Sequence, residues 1–223
     1  MTAMQLTFEH VVVGVDGSDG SVEACRQAVR LLEPDGRLEL VSVFDGATAV
    51  RTGWNADRVR AELEDEAEVA VSSAREVTGS VGCPVVIDGV PARALLREVT
   101  RRDATLAAVG ACAHGRVWQA LFGGVTRDLL QWAPCPVLVA RSTPGGGTFP
   151  RAVAVATGGS PESGRALDVA RYLEQRFDIP LLTMEPVEAL LDATDVDLVV
   201  LDDGTRESRR IAAAAPCSAL IVR

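Results

Sequence analysis

The sequence lacks long apolar runs and clusters of basic residues. No apolar run approaches the about 18 residues that cross a membrane, and the opening MTAMQLTFEH has neither region of a signal peptide. The 22 basic residues are outnumbered by 31 acidic ones, which gives a net charge of -9. Nucleic acid and anionic membranes attract clustered cations, so we expect neither as a partner. These features predict a cytoplasmic protein.

Patterns of metal binding and catalysis are also missing. The five cysteines form no CxxC pair and only two histidines accompany them, which argues against a zinc site or a disulfide framework. A Cys112–His114 dyad is conceivable, but residues two apart in a loop seldom face each other. No carboxylate pair is placed for acid–base chemistry, so we expect no enzyme. The four other cysteines are expected in the core: Cys25, Cys83, Cys135 and Cys217.

Short β-branched runs alternate with helical segments over the first 140 residues or so. The runs show no alternation of apolar and polar residues, which is typical of parallel strands buried on both faces. Helices are predicted after Ser18 or Ser21, over 56–77, from Pro91 to about 101–103, and over 125–132. The alternation predicts an α/β fold with a doubly wound parallel sheet. Its predicted strands are 10–15, 38–44, 84–88, 106–109 and 136–140.

The most informative stretch is LAAVGACAHGRVWQALFGGVT, residues 106–126. It reads as a strand, a glycine-containing loop and a glycine pair before a helix. Glycines let backbone N–H groups approach an anion, and a helix that starts near Gly124 would direct its positive end at that anion. Asp16 follows the first strand, near the point where the sheet order reverses, so the two features together predict a phosphate site. The alternative is a loop whose glycines only allow tight packing.

The second part of the chain repeats elements of the first, beyond the glycine-rich segment STPGGGT. The APCxxLxxR pattern of 133–141 recurs at 215–223, and PxxALL of 91–96 recurs at 186–191. The offset between the copies falls along the chain, which indicates that the second copy has lost the second strand, the long acidic helix and the glycine loop. We therefore predict a tandem repeat: a full domain at 8–142, a linker at 143–150 and a degenerate domain at 151–223.

Three segments together resemble the universal stress protein family: VVVGVDGS near the start, the GxxxxG…GGVT loop and CPVLVAR at the end of the first copy. The resemblance covers nearly the whole chain. It implies an adenine-nucleotide alpha hydrolase-like, Rossmann-like fold. It also implies a stress-response module that binds ATP or another adenine nucleotide, alone or with Mg²⁺, and regulates a protein partner. Slow ATP hydrolysis is compatible with it.

The resemblance also implies which residues bind the nucleotide. In nucleotide-binding members an Asp after the first strand meets the adenine or ribose end, and a G-x2-G-x9-G-(S/T) loop surrounds the ribose and phosphates. Ala113 stands at the second glycine of this pattern and Gly124 at its Ser/Thr, while Gly115 and Thr126 offer substitutes for the flexibility and the hydroxyl. The expected binding residues are Gly14, Val15, Asp16, Val43, Val109, Gly110, Ala113, Gly115, Gly123, Gly124, Val125 and Thr126.

The two copies differ in what they keep. Gly158 aligns with Asp16 and the glycine loop is missing from the second copy, so any nucleotide is expected in the first copy alone. Erosion of the loop leaves a rival hypothesis, a nucleotide-free scaffold in which both copies serve assembly. The resemblance implies that the final strands of two copies pair at their edges, so we predict that 136–140 and 219–222 lie antiparallel. The result would be an intramolecular pseudo-dimer, which could also form homodimers.

Overall fold

A computed structural model describes residues 7–50, 55–111, 124–142, 148–156, 163–185, 187–192, 195–203 and 206–223. The strands in these ranges form one nine-stranded sheet, in the order β3-β2-β1-β4-β5-β9-β8-β6-β7. The first half supplies β1 (His10–Gly14), β2 (Arg37–Phe44), β3 (Gly82–Asp88), β4 (Leu106–Gly110) and β5 (Val137–Ala140). The second half supplies β6 (Val153–Ala156), β7 (Leu181–Met184), β8 (Leu198–Asp202) and β9 (Ser218–Val222).

Helices cover both faces of the sheet, which explains why the strands read as continuous apolar runs. One face packs against α1 (Asp19–Leu31), α3 (Ala56–Thr78) and α6 (Ser163–Phe177). The other face packs against α4 (Pro91–Arg101), α5 (Gly124–Trp132), α7 (Arg206–Ala214) and the 3₁₀ helix Val187–Asp192. The predicted doubly wound α/β fold is confirmed. A short helix that the sequence did not indicate, α2 (Gly46–Val50), follows β2.

The strands of each half are parallel, and the two halves join through an antiparallel pair, β5 and β9. Leu138 lies opposite Leu220, with Val137 opposite Ile221 and Val139 opposite Ala219. Leu138 and Leu220 hold the same position in the repeated APCxxLxxR pattern. A local pseudo-twofold axis therefore passes between these two leucines, and the antiparallel pairing that the family resemblance implied is confirmed.

The arginines that end the repeated pattern tie each half to the other. Arg141 donates from Nη2 to the carbonyls of Ala212 (2.7 Å) and Ala213 (2.9 Å), near the end of α7. Arg223 donates from Nη2 to the carbonyl of Leu130 (2.8 Å), near the end of α5. The last carbonyls of a helix lack partners within it and carry partial negative charge, so a guanidinium there stabilises the helix. Each arginine thus caps a helix of the opposite half.

The second half is a shortened version of the first. Only residues 178–180 connect α6 to β7. Because this connection is short, β7 lies directly beside β6, and it pairs with β6 as β2 pairs with β1. Alignment of the two copies in the sequence predicted that the second copy had lost the second strand. By place in the sheet the missing strand is instead the outer one, the counterpart of β3, together with the counterpart of α3.

The two halves also meet where α1 ends. Arg176 of α6 donates to the carbonyl of Leu31 (2.7 Å) and pairs with Glu33 (2.8 Å). Phe149, within the segment predicted as a linker, is buried, and its carbonyl accepts a hydrogen bond from Arg30 Nε (3.1 Å). The end of that segment is therefore packed against the first half. No helix among the described residues is long and apolar enough to span a bilayer.

Candidate functional site

The candidate site lies at the carboxyl ends of β1 and β4, where the strand order reverses. These two strands are adjacent and parallel, with Val13 opposite Ala108. Beyond β1, the backbone of Val15 continues the ladder by donating to the carbonyl of Val41 (2.9 Å). Gly17 then adopts a φ of +77°, which side chains disfavour, and so turns the chain into α1. In open α/β sheets ligands bind at such reversals.

Asp16 is exposed at this edge and is held by the start of α1. Its Oδ1 accepts hydrogen bonds from the Ser18 hydroxyl (2.5 Å) and the Ser18 N–H (3.0 Å). Ser18 is also the N-cap of α1, since its Oγ accepts from the N–H of Ser21 (3.2 Å). Partial burial would raise the pKa of Asp16, but hydrogen bonds from Ser18 and Ser21 outweigh it and lower that pKa. The carboxylate is therefore a fixed, ionised acceptor near neutral pH.

Gly110 ends β4 directly against the first turn of α1. A Cβ at this position would lie 2.3 Å from the carbonyl carbon of Gly20 and 2.6 Å from the backbone nitrogen of Ser21. Both neighbours are backbone atoms that cannot move aside, so the contact requires glycine. The tight-packing role considered for these glycines is thus present at Gly110. The same contact brings the start of the glycine loop beside the N-terminus of α1.

Apolar residues line the floor of this edge. A Cβ at Gly14 would lie 2.8 Å from Cδ2 of Leu95 and 3.1 Å from Cγ1 of Val109, so neighbouring side chains fill the space that Gly14 leaves. Val15 and Val109 are buried, and Val43 of β2 is partly buried. The structure therefore brings together the predicted residues from β1, β2 and β4.

The predicted residues of α5 are placed differently from one another. Gly124, the first residue of the helix, is exposed, and no described atom lies within 4 Å of the Cβ position it lacks. Val125 is partly buried, whereas Thr126 is only 3% exposed and lies on the inner side of the helix. The remaining predicted residues, Ala113, Gly115 and Gly123, lie outside the described residues, as do Cys112 and His114.

A charged cluster beside the site was not indicated by the sequence. Asp88, at the end of β3, accepts from the N–H of Gly46 (2.9 Å) and pairs with Arg60 of α3 (2.7 Å). The hydrogen bond from Gly46 lowers the pKa of Asp88, with Arg60 contributing. The Arg60 guanidinium also lies 5.3 Å from the ring centroid of Phe44. The cluster fixes α2 over the ends of β2 and β3. In the sequence, the only indication of this cluster is that an acidic residue, Asp88, stands at the end of a predicted strand.

In the second half, a carboxylate lies at the position that Gly110 holds in the first half. Asp202 ends β8 as Gly110 ends β4, and it aligns with Gly110 when Asp103-x-x-Leu is matched to Asp195-x-x-Leu. Its Oδ1 accepts from the N–H of Ala166 (3.0 Å), near the start of α6. A carboxylate at a helix start makes the contacts that a phosphate would otherwise make.

The cysteines match their expected places with one exception. Cys25, Cys135 and Cys217 are buried, and burial raises the pKa of the Cys25 thiol to about 12 and those of the Cys135 and Cys217 thiols to about 11. Such thiols stay protonated and unreactive. Cys83 was expected in the core but is exposed, because β3 is an edge strand. In the described part of the chain, no three His, Cys, Asp or Glu side chains are grouped to hold a metal ion.

Comparison with known proteins gives consistent matches. The sequence model of the universal stress protein family matches residues 7–141, more than half of the chain. Universal stress protein MJ0531 of Methanocaldococcus jannaschii is 25% identical over 142 residues, which cover 60% of this chain and 82% of that protein. Universal stress protein Rv2624c of Mycobacterium tuberculosis is 31% identical over 141 residues, 61% of this chain but only 49% of that protein.

A structural match extends over both halves. The crystal structure of a universal stress protein from Archaeoglobus fulgidus DSM 4304 aligns with 98% of this chain and 98% of its own, with a TM-score of 0.68 and 14% identity. At that identity the match concerns the fold alone. The family model, in contrast, rests on the sequence of the half that carries Asp16, Gly110 and Gly124. This chain belongs to the universal stress protein family.

Proposed function

We propose that residues 8–142 form a domain that binds one molecule of ATP or another adenine nucleotide and so regulates a protein partner in a cytoplasmic stress response. The observation that carries the proposal is the contact of Gly110 with the first turn of α1 beside Asp16. It joins the start of the glycine loop, a helix N-terminus and a fixed carboxylate at the reversal point of the sheet. Family membership supports the same assignment.

Each part of this edge suits one part of a nucleotide. The ionised Asp16 is an acceptor for ribose hydroxyls or for the amino group of adenine. The apolar floor at Gly14, Val43 and Val109 suits a flat base. Gly124 starts α5 with an exposed backbone, which suits phosphate oxygens, and the loop residues Ala113, Gly115 and Gly123 complete the proposed site. Mg²⁺, if present, would be held mainly by the phosphates.

The role proposed is binding rather than turnover. Asp16, the carboxylate predicted to contact the nucleotide, has a lowered pKa, which makes it a weak base. The neighbouring Ser18 hydroxyl donates to Asp16 and accepts from the N–H of Ser21, so it is engaged in capping α1. Hydrolysis of a bound nucleotide would therefore be slow.

The second half is proposed as a nucleotide-free domain, residues 151–223, joined by a linker at 143–150. Asp202 contacts the first turn of α6, the counterpart of α1, and places a carboxylate where the first half has Gly110, so its charge would repel a nucleotide phosphate. One observation supports the alternative hypothesis, a nucleotide-free scaffold, for the first half as well. Gly110 packs against the first turn of α1, and this contact needs no ligand. In that case both halves would serve assembly alone.

Thermal unfolding with and without ATP separates the two functions. A ligand that binds only the folded state raises the melting temperature, so ATP should stabilise the native protein. The shift should be retained in Asp19→Ala, which removes an exposed carboxylate from the first turn of α1, and largely lost in Asp16→Ala. Mass spectrometry of the purified protein identifies any nucleotide carried through purification. If neither a shift nor a bound nucleotide is found, the scaffold hypothesis holds instead.

Replacing Gly124 with Ser should tighten ATP binding. The new hydroxyl would stand where the family pattern has Ser or Thr, and no described atom lies within 4 Å of the added Cβ. A hydrogen bond to a charged acceptor contributes about 1.5–3 kcal/mol, which corresponds to an affinity gain of about tenfold or more. Calorimetric titration measures it. Gly164→Ser, at an equally open position in α6, is the matched control and should leave the affinity unchanged. Unchanged affinity in Gly124→Ser would show that α5 does not contact the phosphates.

A further inference from the structure

A groove lies between α4 and α5, on the sheet face opposite α1 and α3, and its α4 wall is basic. It has a volume of about 480 Å³ and is lined by Leu96, Arg97, Thr100, Arg101 and Trp132. Arg93 lies one turn before Arg97 on α4, so the exposed arginines at 93, 97 and 101 form a stripe along this helix. None of these side chains belongs to the candidate nucleotide site.

The stripe is positively charged in a chain of net charge -9. The one acidic residue within α4, Glu98, is 7% exposed and turned inward, where it pairs with Arg101 (2.6 Å) and Arg102 (3.1 Å). Among the described residues, no acidic side chain pairs with Arg93 or Arg97. Helix α3, in contrast, carries seven acidic residues and three arginines. The groove is therefore a local reversal of the protein's overall charge, which favours an acidic partner.

Trp132 provides an apolar anchor at the end of the same groove. It is 66% exposed, because α5 directs Leu129 and Leu130 into the core and leaves its last residue outside. A single exposed apolar side chain is ordinary on a protein surface. Tryptophan beside arginine is the composition that dominates binding energy at protein interfaces, and here both line one groove with the partly buried Leu96.

We propose that this groove binds an acidic amphipathic segment of a partner protein. An apolar side chain of that segment packs on Trp132 and Leu96, and its carboxylates pair with Arg93 and Arg97. The proposal rests on the regulatory function proposed above, for which it names the surface and the chemistry of the partner. Helix α5 connects the two places, since it begins at Gly124 in the candidate site and ends at Trp132 in the groove.

Fluorescence anisotropy with labelled peptides, in the absence of nucleotide, tests the proposal. The probe is a helical peptide of about 15 residues with Glu on one face and Leu on the other, and its control has Gln in place of every Glu. The acidic peptide should bind, the Gln peptide should bind at least about tenfold more weakly, and the difference should shrink as salt rises. Arg97→Gln should weaken binding about two- to fivefold, and Trp132→Ala about tenfold.

The matched control is Arg75→Gln, which removes an exposed arginine from α3 and should leave peptide binding unchanged. Equal binding of both peptides, absence of binding, or binding unaffected by Trp132→Ala would overturn the proposal. Self-association of the protein that Arg97→Gln abolishes, without peptide binding, would also overturn it and assign the groove to the acidic α3 of a second copy. Because nucleotide is left out, a negative result here does not touch ATP binding, which the melting experiments test separately.

Discussion

Replacing Leu220 with Asp should strongly destabilise the whole chain rather than its second half alone. Leu220 is fully buried at the centre of the β5–β9 pair, opposite Leu138. A carboxylate there would lie among apolar side chains and have no partner, at a cost of about 4 kcal/mol or more. Domains of ordinary stability have only about 5–15 kcal/mol in reserve. Loss of β9 would also expose the edge of β5, so the variant should aggregate.

Size-exclusion chromatography and thermal unfolding measure this effect. Leu182→Asp is the matched control, because Leu182 lies on the edge strand β7 and is 36% exposed. It should remain soluble with a melting temperature near that of the native protein. A soluble, monomeric Leu220→Asp protein with an unchanged melting temperature would show that the β5–β9 pair does not hold the two halves together.

Replacing Gly110 with Ala should both destabilise the protein and abolish nucleotide binding. The added Cβ would lie 2.5 Å from the carbonyl oxygen of Gly20 and 2.6 Å from the nitrogen of Ser21, so the end of β4 must move away from α1. Overpacking against side chains costs about 1–3 kcal/mol, and we expect about 3 kcal/mol here because the neighbours are backbone. The displacement would also move Gly110, where the glycine loop begins, away from the first turn of α1.

Denaturant unfolding and ATP titration together check this expectation. Gly124→Ala is the control for stability, since its Cβ meets no described atom within 4 Å and the residue lies in a helix, where Ala is favoured over Gly. It should be as stable as the native protein or slightly more so. Native stability in Gly110→Ala would contradict the close contact with α1. Native ATP affinity in Gly110→Ala would show that ligand binding does not depend on this contact.

Features with a local signal could be predicted from the sequence. The apolar runs that became β1, β4 and β5 showed no alternation because helices cover both faces, and that pattern indicated the parallel sheet. The repeated APCxxLxxR located the final strand of each copy, and the resemblance to the universal stress protein family implied that β5 and β9 pair at their edges. The position of Asp16 after β1 likewise placed it at the reversal point.

Features that depend on residues far apart in the chain could not be predicted from the sequence. The caps that Arg141 and Arg223 place on opposite helices join residues 71–94 positions apart. In the sequence these arginines are only the last letters of a repeat. The shortened second half was misassigned in its strand position for a similar reason: a deletion shows how much chain is lost, but the length of the connection after α6 decides where the next strand pairs.

The candidate site shows the same division. Gly110 was expected to approach a phosphate, but no local pattern showed that it also touches Gly20, because that contact depends on how α1 lies against β4. Asp202 was not singled out at all, since an acidic residue after a strand has no distinctive signal until its contact with Ala166 is seen. The chemistry of single positions is readable in the sequence, whereas their mutual approach is set by the packing of helices on the sheet.

Calorimetric titration of the native protein with ATP tests the central proposal most directly. Asp16 and Gly110 in the first half, and Asp202 at the corresponding place in the second, lead us to expect one nucleotide bound per chain. The same titration of Asp16→Ala should show a large loss of affinity. Two equivalents of similar affinity would contradict the assignment of the second half, and the absence of binding by protein shown to be free of nucleotide would contradict the proposed function itself.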